Sequence, residues 1–376
     1  MVQRVLVVPD KFKGSVTAAE AADALAIGLL SARPDLDVVR LPVADGGDGT
    51  LAAAVSAGYE LVPVVADGPT GEPVGTAFAV AADTAVVELA DVTGLRRLPG
   101  APAPLTASTY GVGQVIAAAL DYGASRIVLG IGGSASTDGG AGMLQALGLR
   151  LAGEDGQQLA RGGAALAGLV TVEVAELDRV LGANVTVLVA SDVENPLLGP
   201  NGAAVVFGPQ KGASPDDVAL LDLALARWAA VTGSVTGRDV AADAGAGAAG
   251  GTGFGAMAYL GARLVPGAEL VLDLIGFDAA LTGASLVITG EGSLDSQSLG
   301  GKAPVGVARA ARRHGVPVVA VAGLVSLTDA ELAAAGFAAA YSLADLEPDH
   351  EASMAGATDL LAKIGHRIAK TLIADR

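Results

Sequence analysis

Short β-branched runs alternate along the chain with Ala-rich stretches of helical period, the pattern of strands joined by helices in a mostly parallel sheet. RVLVVPD (Arg4–Asp10) predicts a strand. Thr17, with Glu20 three residues on, predicts a capping box that opens a helix. VVRLPVAD (Val38–Asp45) predicts a second strand, with a helix after Asp48. Toward the other end, Ser285–Glu291 and Val316–Gly323 predict strands on either side of a helix over Pro304–His314, whose proline sits near its start. Thr328 and Glu331 predict a short capped helix, Ala338–Leu343 a last strand, and a final helix begins at about Ser353.

The roughly 220 residues between these two sections are far too many for a loop. They open differently, with Leu61–Val65, Pro73–Ala81 and Ala85–Leu89 separated by turn residues such as Asp67-Gly68-Pro69-Thr70-Gly71. That spacing predicts an antiparallel meander. Helix Ser108–Tyr122, strand Arg126–Ile131, helix Ala141–Leu147, strand Val185–Ala190 and a helix opened by Ser214-Pro215-Asp216-Asp217 follow. The expected fold class is α/β: a Rossmann-like parallel-sheet domain (1–65 plus 283–376) interrupted by an inserted second α/β domain (66–282), with the active site in the cleft between them.

Composition narrows the function. The chain of 376 residues is 52% hydrophobic and 17% charged, enough apolar material for a large core, so a disordered chain is excluded. Its mean hydropathy is +0.54, yet the longest clean apolar run, Val316–Leu327, falls short of the ~18–20 residues that cross a bilayer. The apolar run after Arg4 stops at Asp10, too short for the ~7–15 residues of a signal core, so a cytoplasmic protein that engages no membrane is expected. A formal charge of −17 argues against nucleic-acid binding. Cysteine is absent, which removes thiolate chemistry and Cys-ligated zinc, and the three histidines (His314, His350, His366) share no metal-ligand spacing.

In open α/β sheets ligands sit beyond the carboxyl ends of the strands. Five expected strands end in glycine, carboxylate or hydroxyl clusters. These are Asp10 into Lys11-Phe12-Lys13-Gly14-Ser15, Asp45 into Gly46-Gly47-Asp48-Gly49-Thr50, and Ile131 into 132–140 (GGSASTDGG). The other two are Ala190 into Ser191-Asp192-Val193-Glu194-Asn195, and Glu291 into Gly292-Ser293-Leu294-Asp295. Four of the six lysines (Lys11, Lys13, Lys211, Lys302) lie in loops of this kind, and ammonium groups suit phosphate oxygens. Gly245-Ala-Gly247-Ala-Ala-Gly250 matches GxGxxG and Gly130-Ile-Gly132-Gly-Ser-Ala135 matches GxGxxA, but neither has the setting of a dinucleotide fingerprint. As phosphate cradles both remain open, since backbone N–H groups can approach an anion there. No GxxxxGK[ST], HRD, DFG or GxSxG string occurs, which disfavours a P-loop ATPase and an ordinary α/β hydrolase. Trp228 and Phe207 read as core, and Arg96, Arg97, Arg312 and Arg313 as turn or helix-end charges.

At these loops the sequence resembles the bacterial type-1 glycerate kinase family. The strings that carry the resemblance are PDKFKGSVTAAEAADA (Pro9–Ala24), LPVADGGDGT (Leu41–Thr50), GIGGSASTDGGAGML (Gly130–Leu144), SDVENPLLGPNGAAVVFGPQKGA (Ser191–Ala213), DAGAGAAGGTGFG (Asp243–Gly255) and TGEGSLDSQSLGGKAPVGVA (Thr289–Ala308). They run in family order over nearly the whole chain. Lys11 stands where Ser is common, Asp48 where Glu is, Ser136 where Thr is, and Ser293 where Arg is often found. The resemblance implies ATP-dependent phosphorylation of D-glycerate to 2-phosphoglycerate. A 3-phosphoglycerate product, a kinase of another small hydroxy acid, an NAD-dependent dehydrogenase and a non-catalytic two-lobed binder are the alternatives.

Phosphoryl transfer needs neutralisation of phosphate charge, a metal, and a carboxylate that takes the hydroxyl proton. Asp192 is the candidate base and Lys13 the second candidate catalytic residue. Lys11, Lys211 and Lys302 are expected to clamp phosphate or the glycerate carboxylate, with Gly133, Ser134, Thr137 and Asp138 lining the same site. Asn195, Asn201, Gln210, Gly247, Gly250 and Gly251 complete the substrate- or phosphate-binding candidates. Asp45 and Asp48, or Glu291 and Asp295, are the candidate Mg²⁺ ligands.

Overall fold

The computed structural model describes residues 3–182 and 184–373. In chain order its strands begin with β1 (Arg4–Pro9), β2 (Asp37–Arg40), β3 (Glu60–Asp67), β4 (Pro73–Ala81) and β5 (Thr84–Glu88). Next come β6 (Arg126–Gly130), β7 (Arg150–Ala152), β8 (Thr171–Glu173), β9 (Thr186–Ala190) and β10 (Arg263–Val265). The last are β11 (Ala284–Leu294), β12 (Val318–Val325) and β13 (Ala339–Ser342). The chain gathers into two compact units. The first runs from the N-terminal end to Asp45, adds Ala52–Gly58 and resumes at Pro266; the second holds Gly46–Leu51 and Tyr59–Val265.

The first unit is built on a parallel sheet in the order β13-β12-β11-β1-β2. Both faces of β1 are covered, which explains its unbroken apolar run. Val5 and Val7 face Leu25 and Leu29 of helix Ala18–Ala32 and Leu361, Ile364 and Ile368 of helix Ala357–Thr371. Leu6 and Val8 face the other way, toward Phe277 and Val307. Full burial of each such side chain is worth ~1.5–3 kcal/mol. Thr17 caps helix Ala18–Ala32 in a complete capping box with Glu20, as the spacing predicts. From β1 the chain steps to β2 on one side, whereas from β11 it steps to β12 and β13 on the other. The crevice between the carboxyl ends of β1 and β11 is therefore a topological switch point.

The second unit carries a mixed sheet in the order β10-β9-β6-β5-β4-β3. β3, β4 and β5 form the expected antiparallel meander. β5, β6, β9 and β10 then run parallel, with Glu88, Gly130 and Ala190 in register at their carboxyl ends. Its core holds Val87, Val112, Ile127, Leu129, Leu144, Leu225, Trp228 and Phe254. Among the described residues, Pro215–Thr236 is the one helix long and apolar enough to cross a membrane, and its Leu221, Leu225 and Trp228 are buried in this core.

Of the expected elements, three differ in ways that bear on the site or the C-terminal end. β2 ends at Arg40, not Asp45: Leu41 and Val43 still donate to the Val7 and Pro9 carbonyls, but Pro9 of β1 has no N–H to return a ladder bond to Leu41. β11 continues to Leu294, since Ser293 and Leu294 pair with Leu324 and Val325 of β12. The C-terminal helix is two: Asp349 caps His350–Ala355, which closes at Gly356, where Ala357–Thr371 begins.

Candidate active site

In the first unit, β1 and β11 deliver two carboxylates side by side. The Asp10 amide donates to the Gly290 carbonyl at 2.8 Å, so Asp10 and Glu291 follow paired positions at the switch point. Both are only 7% exposed. Burial raises the Asp10 pKa to about 7; Lys11 opposes the shift, whereas Asp45 and Glu291 add to it. Burial also raises the pKa of Glu291, against the pull of Ser298 and Lys302. Each acid has an ammonium 3.7 Å away, Lys11 for Asp10 and Lys302 for Glu291. Glu291 Oε1 is buried without a hydrogen-bond partner. Lys13 is exposed on the loop that crosses this end of the sheet, its amide 3.3 Å from where a Cβ on Gly292 would stand.

In the second unit the glycine loops converge. Asp138 is fully buried, and its carboxylate accepts from the Thr109 amide and hydroxyl at 2.8 Å and from the Gly142 amide at 3.2 Å. It thereby anchors loop 132–140 to the start of helix Ala141–Ala146. Lys211, 2% exposed, lies beneath the same loop and donates to the Ser134 hydroxyl at 2.8 Å and to the Ser136 carbonyl. Burial lowers its pKa to about 7, with Asp138 opposing. Ala249, Gly250 and Gly251 adopt left-handed conformations at the head of helix Ala248–Leu260. A Cβ on Gly250 would lie 2.1 Å from the Ser136 carbonyl, so only glycine lets the two loops meet. Gly247 donates to the Asn195 carbonyl at 2.8 Å, and the Asn195 amide reaches the Asn201 carbonyl at 2.9 Å. Asp192 is exposed two residues beyond the end of β9, as are Gly133, Asn201 and Gln210 on their loops. The hydroxyls of Thr93, Ser136 and Thr137 are buried without partners.

The sequence-derived residues thus fall into two groups. Asp10, Lys11, Asp45, Glu291 and Lys302 gather in the first unit, with Asp295 nearby. Ser134, Thr137, Asp138, Lys211, Asn195, Gly247, Gly250 and Gly251 gather in the second. Asp138 and Lys211 act on the protein's own loop, a role that their sequence neighbours do not betray.

The candidate metal residues fit unequally. Asp48, in the second unit, forms an ion pair with Arg96. Asp295 accepts from the Gln297 and Ser298 amides; burial pushes its pKa up, but these bonds and Lys302 together hold it below the ordinary value. Among the described residues no three Asp, Glu or His side chains form a ready metal cage. Glu291, with its unpartnered oxygen, and Asp45 fit the one or two carboxylates that Mg²⁺ takes when phosphates and water supply the rest.

Sequence reasoning missed Glu88. It ends β5 at 5% exposure and accepts from the Gly49 and Leu51 amides. The carboxyl-end rule that singled out Asp10 and Glu291 applies to it equally; reading Leu89 as strand concealed it.

Fold and site define an α/β enzyme whose acids, lysines and glycine loops collect at the carboxyl ends of parallel strands. The chain belongs to the glycerate kinase family, whose model matches residues 5–373, and it is accordingly a phosphotransferase. It is 46% identical over 327 residues to a glycerate kinase of Bacillus subtilis (strain 168), covering 86% of this chain and 85% of that one. It is 40% identical over 376 residues to a glycerate 2-kinase of Escherichia coli (strain K12), covering 98% of each. A crystal structure provisionally assigned as glycerate kinase 2 from Salmonella typhimurium LT2 superposes with a TM-score of 0.87 at 40% identity over 99% of both chains. The dehydrogenase and binding-protein alternatives fall with these findings.

Proposed function

We propose that the protein transfers the γ-phosphoryl group of ATP to the 2-hydroxyl of D-glycerate, giving 2-phosphoglycerate and ADP. One observation carries the geometry: Asp10 and Glu291 stand together at the switch point, each with a lysine ammonium 3.7 Å away. Alternating carboxylates and ammonium groups suit a ligand that is both polyanionic and metal-bearing, as Mg-ATP is. The acceptor and the position of transfer are supported by the family and by the name of the Escherichia coli relative.

In this reading Asp192 takes the proton of the glycerate hydroxyl as its oxygen bonds to the γ-phosphorus and the bond to the ADP oxygen breaks. Lys13, Lys11 and Lys302 neutralise the anionic groups, and loop 132–140 with Gly247, Gly250 and Gly251 offers backbone N–H donors. Asn195, Asn201 and Gln210 orient the substrates. Mg²⁺ would be held by Glu291 and Asp45 and would screen the phosphate charge. We regard the second unit as an inserted domain.

Phosphorus NMR of the products formed from Mg-ATP and D-glycerate tests the reading. A resonance coupled to the single C2 proton is expected. Coupling to the two C3 protons would transfer the assignment to 3-phosphoglycerate, and ATP left intact beside glycerate would overturn it altogether.

A further inference from the structure

We infer that Glu88 is a positioning residue for phosphoryl transfer, its buried carboxylate setting the Gly46–Leu51 loop against the glycine floor at the end of β6. In its kinetic consequences this role rests on the kinase reading above.

Glu88 closes a strand whose other residues, Thr84-Ala85-Val86-Val87, are all buried. A carboxylate at such a site carries a desolvation penalty unless donors meet it. Here burial raises its pKa to about 6, and the Leu51 and Gly49 amides oppose the shift. Both carboxylate oxygens lie 3.2 Å from the Gly49 nitrogen, and Oε2 lies 2.9 Å from that of Leu51. The loop tightens further on itself, since the Thr50 hydroxyl donates to the Gly47 carbonyl at 2.7 Å. Gly49 has φ +105, a conformation that turns the chain back toward the acid.

The opposite face of the loop has no slack. A Cβ on Gly130 would lie 2.7 Å from the Gly46 carbonyl, and one on Gly132 would lie 2.7 Å from Gly47 Cα. The loop is therefore fixed between an anion on β5 and bare backbone on β6. That backbone continues into Gly133 and Ser134, where loop 132–140 begins, and Ser134 accepts from Lys211. Freed from Glu88, the 46–51 segment would lift from this floor and release the start of loop 132–140 with it. Two converging N–H donors call for a carboxylate; glutamine would turn an NH₂ group toward one of them.

The test uses the full chain as Glu88→Ala, Glu88→Gln and Gly132→Ala, the last pushing the loop from its other face with Glu88 intact. Hydrogen exchange over residues 46–51 and steady-state kinetics with Mg-ATP and D-glycerate are measured on each folded variant. Glu88→Ala is expected to exchange at least ~10-fold faster over 46–51 and to lose ~10–100-fold in kcat, the scale of a displaced positioning element, with Michaelis constants changing far less. Glu88→Gln should fall between it and the parent in both, and Gly132→Ala should reproduce the kcat loss. Unchanged exchange over 46–51, or a kcat within about twofold of the parent in Glu88→Gln and Gly132→Ala, would overturn the role. If the parent protein leaves glycerate unphosphorylated, the kinase reading fails, and the exchange measurement alone still decides whether Glu88 holds the loop.

Discussion

The indole Nε1 of Trp228 donates a hydrogen bond of 3.1 Å to the carbonyl of Gly139. The chain's single tryptophan therefore holds the left-handed corner at Gly139 and Gly140, where loop 132–140 enters helix Ala141–Ala146. Tyr259 stacks on the indole from behind at 5.3 Å. Because no other tryptophan contributes, intrinsic fluorescence reports on this corner directly. Titration with a ligand that engages loop 132–140 is expected to shift or quench the emission. Trp228→Phe leaves the Gly139 carbonyl unsatisfied and a void beside it, so its urea unfolding free energy should fall by ~2–4 kcal/mol. A loss below ~0.5 kcal/mol would remove Trp228 from this role.

Features that depend on near neighbours were legible in the sequence. The capping boxes of Thr17 with Glu20 and Thr328 with Glu331 form as predicted, because three residues of spacing are enough to close them. The meander of β3, β4 and β5 was legible for the same reason, its turn residues lying between its strands. For Trp228 the sequence indicates core packing alone, since nothing near it points to a carbonyl 89 positions away. For Lys211 the sequence indicates a loop cation available to a ligand. Its flanking Gly-Pro-Gln and Gly specify a turn, but not whether the side chain faces water or the backbone of residues 134–136.

Burial makes Lys211 sensitive to pH. With a folded pKa of about 7 against an unfolded value near 10.4, the unfolded chain holds the extra proton across that interval. Stability contributed by this group therefore rises as pH increases from 7 toward 10, by up to ~1.4 kcal/mol per unit, and is least favourable below 7. Lys211→Met has no such proton. The difference in unfolding free energy, parent minus variant, should grow between pH 7 and 9; parallel profiles would contradict the buried ammonium.

Asp10 gives the opposite slope. Its folded pKa of about 7 exceeds the unfolded value near 3.9, so between these limits the folded chain keeps a proton that the unfolded chain releases. Stability should fall as pH rises through that window. Asp10→Asn carries no ionising group, and in the absence of ligands it is expected to gain on the parent from pH 4.5 to pH 7.5, by a total of about 1–4 kcal/mol. Denaturant midpoints at the two pH values check the sign, and an equal offset at both would exclude a depressed acidity at Asp10.

Asp192 is the most direct probe of the proposed chemistry. It stands exposed beyond the end of β9, on the loop in which Asn195 ties both Gly247 and Asn201 into place, so the surrounding backbone does not depend on burying its carboxylate. Asp192→Asn preserves size and removes the basic oxygen. A proton acceptor in the transfer step contributes ~10²–10⁴-fold, and turnover should fall by that factor. The Michaelis constants should move far less, because the lost interaction belongs to the transition state. A loss of less than ~10-fold in a variant with the parent's unfolding profile would assign the proton to another group. Asp10 and Glu291, the buried acids at the switch point of the first unit, would then be the residues to replace next.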